Sequence, residues 1–518
     1  MLGTHTGRKI AMDKFWKSFK SGTDIRGVAV EGVEGEPLNL TDEVVGKMAK
    51  AFLLWLSQRT GRKPSELWVA VGHDSRISAD RIRSAVVGAM TECGAKVLDC
   101  GLSSTPSMFM ITLDRRLDGS VQITASHHPY HRNGLKFFTP AGGLDGCDIE
   151  EILGFCDSGT FPESVSGGSS EKVNYMKDYA AHLRDIICKG IGSANYDRPL
   201  EGLHIVVDAG NGAGGFYAYD VLEPLGADIS GSVYLEPDGM FPNHIPNPED
   251  KDAMKSICGA VLHSHADLGV IFDTDVDRGG AVDSLGAEIN RNRLVALASA
   301  IALENCPGGT IVTDSTTSAG LRKFIEGTLG GVHYRYRRGY RNVINRAVEL
   351  NEQEIDCPLA IETSGHAAMR ENYFLDDGAY LVTMIIIKMA QLRARGENLA
   401  VLTADLEDPV EECELRFRIT AEDFREYGQK VLAGLEEYAE AREDWIIADD
   451  NREGIRVSFE DEQGWFLLRL SVHDPIMPLN LESMKEGGSR AIAEKLYGFL
   501  KDCGSLDLSA IEKFIGQQ

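Results

Sequence analysis

The chain has 518 residues, with 53 basic against 79 acidic side chains, a formal net charge of −26 and a pI near 4.9. At roughly 100–200 residues per domain this length predicts about three or four domains, and 43% hydrophobic with 25% charged residues excludes wholesale disorder. The acidic balance argues against a nucleic-acid or anionic-membrane partner, since both require a basic surface, and it admits an anionic small molecule only where cations are gathered locally.

The first twenty residues carry basic side chains but no apolar stretch, so no secretory signal is predicted. The ten cysteines are scattered without a CxxC pair, which predicts reduced, mostly buried thiols in a cytoplasmic protein. A helix is predicted to start at the cap Thr41, to bury Val45, Met48, Ala49, Phe52 and Leu56, and to stop at Gly61. Short apolar runs at 67–71, 121–124, 203–207, 268–272, 310–313 and 358–361 predict buried strands, and their alternation with helical patterns predicts α/β layers with largely parallel sheets. Asp74, Asp208 and Asp314 each follow a strand and each has an alanine five residues on, a faint repeat that suggests three related units. Residues 157–171, rich in Gly and Ser, predict a linker. The apolar run 381–387 is too short to span a bilayer and predicts a core helix. Beyond Glu407, runs at 413–418, 454–459 and 465–472 predict antiparallel strands, which with two helices form a separate α+β domain.

Five stretches hold residue types with chemical potential. In TASHHPYHRNGLK (124–136), Ser126 leaves a strand beside His127 and Lys136, a setting for a nucleophile or phosphoryl carrier, or simply for a solvated turn. His127, His128 and His131 could suggest a metal site, but no Cys or carboxylate lies close in sequence to complete it. In DTDVDR (273–278), carboxylates at alternate positions after an apolar strand suit Mg²⁺ or Ca²⁺; Arg278 and Ser284 occupy the positions where an EF-hand needs Gly and Glu, so Mg²⁺ is the reading preferred over an acidic turn. GNGAGG (210–215) satisfies a dinucleotide fingerprint, yet the Asp repeat explains the loop without a cofactor. ETSGH (362–366) offers an acceptor, hydroxyls and a titratable His, and Arg469 with Ser471 in LLRLSVHDP ends a predicted strand as a possible phosphate clamp.

Together, in this order, and with GTDIRG (22–27), GHDSR (72–76), GLSSTP (101–106), PDGMFPNHIPNPE (237–249) and LDDGAY (375–380), these stretches resemble the α-D-phosphohexomutase family. The resemblance implies an α/β fold, with three related α/β domains of mixed sheets plus a C-terminal α+β domain around a central active-site cleft. The implied divisions are 1–171 for the phosphoserine loop, 172–304 for the metal loop, 305–404 for the sugar loop and 405–518 for phosphate binding. It implies that Ser126 is phosphorylated and that Asp273, Asp275 and Asp277 hold one Mg²⁺ per site with a phosphoserine oxygen. Arg26, His127, Lys136 and Arg278 would surround the transferring phosphoryl group. Glu362, Ser364 and His366 would grip the sugar, and Arg469 and Ser471 the phosphate that is not reacting. Lys136 and His366 are the candidates for taking the sugar hydroxyl's proton.

The sequence departs from the family pattern in three places. His128 stands where the family usually has Asn. Val472 and His473 replace the Asn and Thr of R-x-S-N-T-x-P. RRGYRN (337–342) replaces V-G-x-K/H, so that Arg338 and Arg341 become candidate compensating phosphate contacts. The implied activity is interconversion of hexose 1- and 6-phosphates of glucose or mannose, with a hexose 1,6-bisphosphate as activator and no nucleic-acid or membrane partner. A phosphoglucosamine mutase is one alternative, although its sugar loop typically has Gln where this chain has Thr363. A catalytically weak sugar-phosphate-binding regulator is the other. Neither the oligomeric state nor the preferred sugar follows from the sequence.

Overall fold

Three short, largely buried strands, each ending at or just before an aspartate, organise three sheets of the chain. The computed structural model describes residues 12–471 and 474–516; the first eleven residues and the expectations resting on Val472 and His473 lie outside the described residues. The chain divides into two compact units, Met1–Ile289 with Leu375–Gln391, and Asn290–Phe374 with Leu392–Gln518.

In the first unit the largest sheet runs in the order Lys20–Ser21, Asp24–Val28, Arg132–Thr139, Gly119–Ile123, Trp68–His73, Lys96–Leu102, Ser169–Lys172. Helix Asp42–Thr60 covers it as the periodicity predicts: Thr41 Oγ1 accepts from the Val44 amide, Gly61 closes the helix in the left-handed conformation, and all five predicted core residues are buried. A smaller sheet contains Ile205–Asp208, Leu268–Phe272 and Gly279–Asp283. The apolar run at 381–387 lies inside helix Gly378–Arg393, and no helix among the described residues is long and apolar enough to cross a membrane.

The faint repeat has a physical basis. Trp68–His73 pairs parallel with Gly119–Ile123, Ile205–Asp208 with Leu268–Phe272, and Thr310–Asp314 with Leu359–Ile361. The second strand of each pair then turns back antiparallel, into Arg132–Thr139, Gly279–Asp283 and Ala367–Met369 respectively. Each sheet is therefore mixed, which corrects the largely parallel expectation: strand–helix alternation reveals the crossovers but not the hairpin that follows. The repeated aspartates do one job. Their Oδ1 atoms accept the amide of the residue two ahead, from Arg76 at 3.0 Å, Gly210 at 2.9 Å and Thr316 at 2.8 Å, stopping each strand in a tight turn. The three hairpin loops at equivalent positions are 124–131, 273–278 and 362–366, which are the serine, acidic and ETSGH stretches.

In the second unit, Glu411–Arg418, Ile476–Ser483, Gly464–Leu468, Ile455–Phe459 and Ile446–Ile447 form an antiparallel sheet in that order. Among the described residues, three helices follow Glu407 rather than two: Phe424–Glu440, Gly488–Leu500 and Ser509–Ile515. The strand expected at 465–472 stops at Leu468, so Arg469 and Ser471 belong to the loop after it. The expected linker is also shorter than predicted. Helix Gly146–Ser158 enters it, and Ser169–Lys172 leaves it as an edge strand parallel to Lys96–Leu102, because backbone pairing needs no apolar side chains.

Candidate active site

The serine loop is built by close backbone approach. Gly134 faces the carbonyl of Ile25, where an added Cβ would lie 2.1 Å from the oxygen, so Arg132–Thr139 can pair with Asp24–Val28 only with glycine there. That pairing places Arg26 opposite Gly134, two residues from Lys136. Ser126 has a φ of 50°, a left-handed conformation costly for a non-glycine residue and kept where the surroundings over-determine it. Its amide donates to Thr124 Oγ1 at 2.9 Å, and its Oγ donates to Asp273 Oδ2 at 2.9 Å and lies 3.2 Å from His127 Nδ1.

The acidic loop reverses at Val276, with φ 67°, an outlier for a β-branched side chain that is held by full burial and by the Gly378 amide donating to its carbonyl at 3.1 Å. This reversal gathers the carboxylates of Asp273, Asp275 and Asp277, all fully buried, with oxygens within 4.8 Å of one another. Lys136 Nζ pairs with Asp277 and lies 3.6 Å from Asp275, and Thr105 Oγ1 donates to Asp275 Oδ2. The other Asp275 oxygen is buried with no hydrogen-bond partner among the described residues. Burial, then the Asp277 and Asp275 carboxylates, push Asp273 well above the usual carboxylate range against Arg278 and Lys136. An all-oxygen cluster, a lone buried acceptor and mutual repulsion fit a hard divalent cation such as Mg²⁺. Arg278 donates its amide to Asp273 Oδ1 at 3.2 Å, while its guanidinium meets Asn247 at 3.3 Å and Glu249 at 3.4 Å.

Two expectations resolve differently from their motifs. GNGAGG packs rather than binds: an added Cβ at Gly212 would meet the Thr274 carbonyl at 2.6 Å and one at Gly215 the Leu235 carbonyl at 2.1 Å, while Ala213 donates to Thr274. The histidine cluster splits, with His127 beside Ser126 and His131 3.2 Å from Glu36. Burial, then Arg26, Arg76, Arg132 and Arg278, push His128 down to about 3, leaving a neutral polar side chain there.

Sequence reasoning missed three contributors here. Arg76 and Thr105 sit in motifs quoted only for likeness, and Asp376 is a further buried carboxylate, held well above its ordinary range by burial and by Asp277. A carboxylate in LDDGAY was the available signal for Asp376; contacts to backbone left none for Arg76.

The remaining candidates belong to the second unit. Glu362 Oε1 accepts from the Gly339 amide at 2.6 Å, Ser364 Oγ lies 3.4 Å from Glu362 Oε2, and His366 stacks on Tyr340 with ring centroids 5.0 Å apart. The Arg338 amide and Ser315 Oγ converge on Glu453 Oε2 at 3.0 and 2.5 Å. Burial, then the charge of Arg338, lowers Arg469 from its ordinary value, so the two cations share one neighbourhood with Asp314 and Glu453. Arg341 occupies the first turn of helix Tyr340–Glu352, and Ser471 Oγ accepts from the Asp474 amide at 3.2 Å.

Burial and the Asp314 carboxylate push Glu362 up to about 7 from its ordinary 4.5. The native state therefore holds a proton that the unfolded chain releases, and this stabilisation is complete below 4.5 and lost as pH rises through 7. Glu362→Gln keeps the carbonyl acceptor and removes the titration. The melting temperature of the wild type relative to this variant should fall between these pH values, the full effect being roughly 3 kcal/mol; a flat difference across that range would refute the assignment.

Comparison with known proteins finds family matches along most of the chain. Residues 19–161, 177–286 and 290–409 match the family models for phosphoglucomutase/phosphomannomutase α/β/α domains I, II and III. A phosphomannomutase/phosphoglucomutase of Pseudomonas aeruginosa is 28% identical over 465 residues, 89% of this chain and 91% of the relative. A phosphoglucomutase of Neisseria gonorrhoeae is 28% identical over 455 residues, 88% of this chain and 91% of the relative. The crystal structure of a phosphoglucomutase/phosphomannomutase family protein from Burkholderia thailandensis superposes with a TM-score of 0.77 at 25% identity, over 94% of this chain and 98% of that one.

Proposed function

The chain belongs to the phosphoglucomutase/phosphomannomutase family of α-D-phosphohexomutases, a family of phosphotransferase isomerases, and on that premise we propose that it interconverts the 1- and 6-phosphates of glucose and mannose through a phosphorylated Ser126. The observation that carries this reading is Ser126 Oγ itself, set 2.9 Å from one of three clustered carboxylates with His127 beside it and Lys136 bound to the same cluster.

Phosphoryl transfer needs positioning and neutralisation of charge more than covalent assistance. Ser126 passes its phosphoryl group to the free hydroxyl of a hexose phosphate, and the other phosphoryl group of the resulting bisphosphate returns to Ser126. Asp273, Asp275 and Asp277 would hold Mg²⁺, which supplies positive charge toward the phosphoryl oxygens when bound. Arg26 and Arg278 add fixed cations, and Lys136 in its neutral form or His366 takes the hydroxyl proton. Glu362, Ser364 and His366 grip the sugar; Arg338, Arg341, Arg469 and Ser471 grip the idle phosphate. A hexose 1,6-bisphosphate would re-phosphorylate a Ser126 whose phosphoryl group was lost to hydrolysis, leaving as a hexose monophosphate. The same reading divides the chain at 171/172, 304/305 and 404/405, and the ten free cysteines suit the cytoplasm.

The test is a panel of glucose, mannose and glucosamine 1-phosphates, each assayed with and without Mg²⁺. Conversion of glucose and mannose phosphates that depends on Mg²⁺ is expected. Activity confined to glucosamine phosphate would overturn the sugar assignment, and no conversion of any sugar would favour a binding role.

A further inference from the structure

Of the three equivalent strand-ending turns, only the one behind the serine loop places an arginine two residues after its aspartate; the other two have Gly210 and Thr316. Arg76 is 2% exposed, and its guanidinium uses every donor it has. Nε meets Asp74 Oδ2 at 3.2 Å; Nη1 donates to the carbonyls of Pro129 at 2.7 Å and Arg132 at 2.9 Å; Nη2 donates to the carbonyls of His128 at 2.6 Å and Ser126. The loop has turned four carbonyl oxygens inward onto one planar cation. Asp74 is itself tied to the loop's start, since Thr124 Oγ1 donates to its Oδ2 at 2.7 Å. Phe241 covers the guanidinium with its ring centroid 5.2 Å away, and Gly239 approaches so closely that an added Cβ would lie 2.3 Å from the Ile77 amide nitrogen.

We infer that Arg76 is the positioning residue of the serine loop: a buried template that holds Ser126 in its left-handed conformation and presents Oγ to the acidic cluster. Ser126 cannot reach that geometry cheaply by its own backbone preference, and the loop contains no helix or strand to impose it. Four convergent carbonyls also repel one another unless a multivalent donor lies between them. Lysine has the charge but only three donors and no planar fork, so it cannot replace the pattern. The positive charge lies behind the serine in a buried setting, where it also favours a phosphorylated Ser126.

The inference deepens the mutase reading and rests on it only for its kinetic arm. Arg76→Ala should lower kcat about 100-fold or more, the scale of a misplaced reacting atom, with KM for the hexose phosphate changed less than about threefold. Millimolar guanidinium ion should restore at least about tenfold of that loss, and Arg76→Lys should restore far less than wild-type activity. Hydrogen exchange supplies an arm independent of catalysis: amides of residues 124–132 should exchange at least about tenfold faster in Arg76→Ala, with helix Asp42–Thr60 unchanged. Arg76→Lys carries the exchange measurement if the alanine variant does not fold. Wild-type activity in Arg76→Lys, an exchange increase spread over the whole sheet, or no guanidinium rescue would overturn the inference. If Ser126→Ala leaves mutase activity intact, the functional reading fails while the exchange measurement still decides the structural role.

Discussion

Ser126→Ala is expected to lower turnover of glucose 1-phosphate by about 10⁴-fold or more, some 5 kcal/mol of barrier, while leaving sugar-phosphate binding nearly unchanged. The effect is large because no other hydroxyl can stand in. Thr124 Oγ1 is committed to Asp74 and the Ser126 amide, and Thr105 Oγ1 to Asp275. Stability should change little by comparison: the variant loses the 2.9 Å bond to Asp273, worth about 1 kcal/mol, and keeps the same strained φ. Ser126→Gly separates the two contributions, since glycine accepts a φ of 50° without strain. It should match alanine in lost turnover and exceed it in stability. After incubation with a hexose 1,6-bisphosphate, the wild type should gain the mass of one phosphoryl group and neither variant should. Activity of Ser126→Ala within tenfold of wild type would refute the phosphoserine route.

Much of this site is legible in the sequence because buried strands and hairpin loops are local. The runs at 121–124, 268–272 and 358–361 are recognisable as strands, and the chemistry follows them directly as TASHHP, DTDVDR and ETSGH. The repeated aspartates are legible as a pattern, but their job is not, because accepting an amide two residues ahead leaves no partner residue to recognise. Arg76 was hidden for the same reason. Apart from Asp74, its partners are four carbonyl oxygens, which every residue type supplies equally. Ser169–Lys172 was missed because all four side chains are exposed and only its backbone pairs. Ile476–Ser483 was missed because Pro478 and Asn480 argue against a strand lying between two others, and the eight-residue ladder with Glu411–Arg418 overrides them. GNGAGG misleads in the opposite direction: Gly212 and Gly215 are required by the close approach of neighbouring backbone.

Asp275→Asn should be more stable than the wild type without Mg²⁺ and less stable than it at saturating Mg²⁺. Without a cation, three buried carboxylates repel one another, and burial with this repulsion already drives Asp273 well above its ordinary range. Removing one charge relieves that repulsion, so metal-free Asp275→Asn should melt above metal-free wild type. The amide can still accept from Thr105, so the gain is not lost to a broken contact. Saturating Mg²⁺ should then stabilise the wild type by about 2.7 kcal/mol at a hundred times its dissociation constant, and the variant much less, because one of three hard ligands is gone. The order of melting temperatures should therefore cross as Mg²⁺ is added. Turnover should follow the metal, with chelation lowering the wild-type rate by about 10³-fold or more and Asp275→Asn responding only to much higher Mg²⁺. An acidic turn with no bound cation predicts the opposite: the variant more stable at every Mg²⁺ concentration, and a wild-type rate indifferent to chelation. Lys136 sharpens the distinction, since its Nζ lies 3.6 Å from Asp275 and also pairs with Asp277. If Lys136 alone neutralised the cluster, Lys136→Met would abolish stability without creating any demand for Mg²⁺. A divalent site instead predicts that Lys136→Met raises the stabilisation gained from Mg²⁺, because a competing cation has been removed from the same carboxylates.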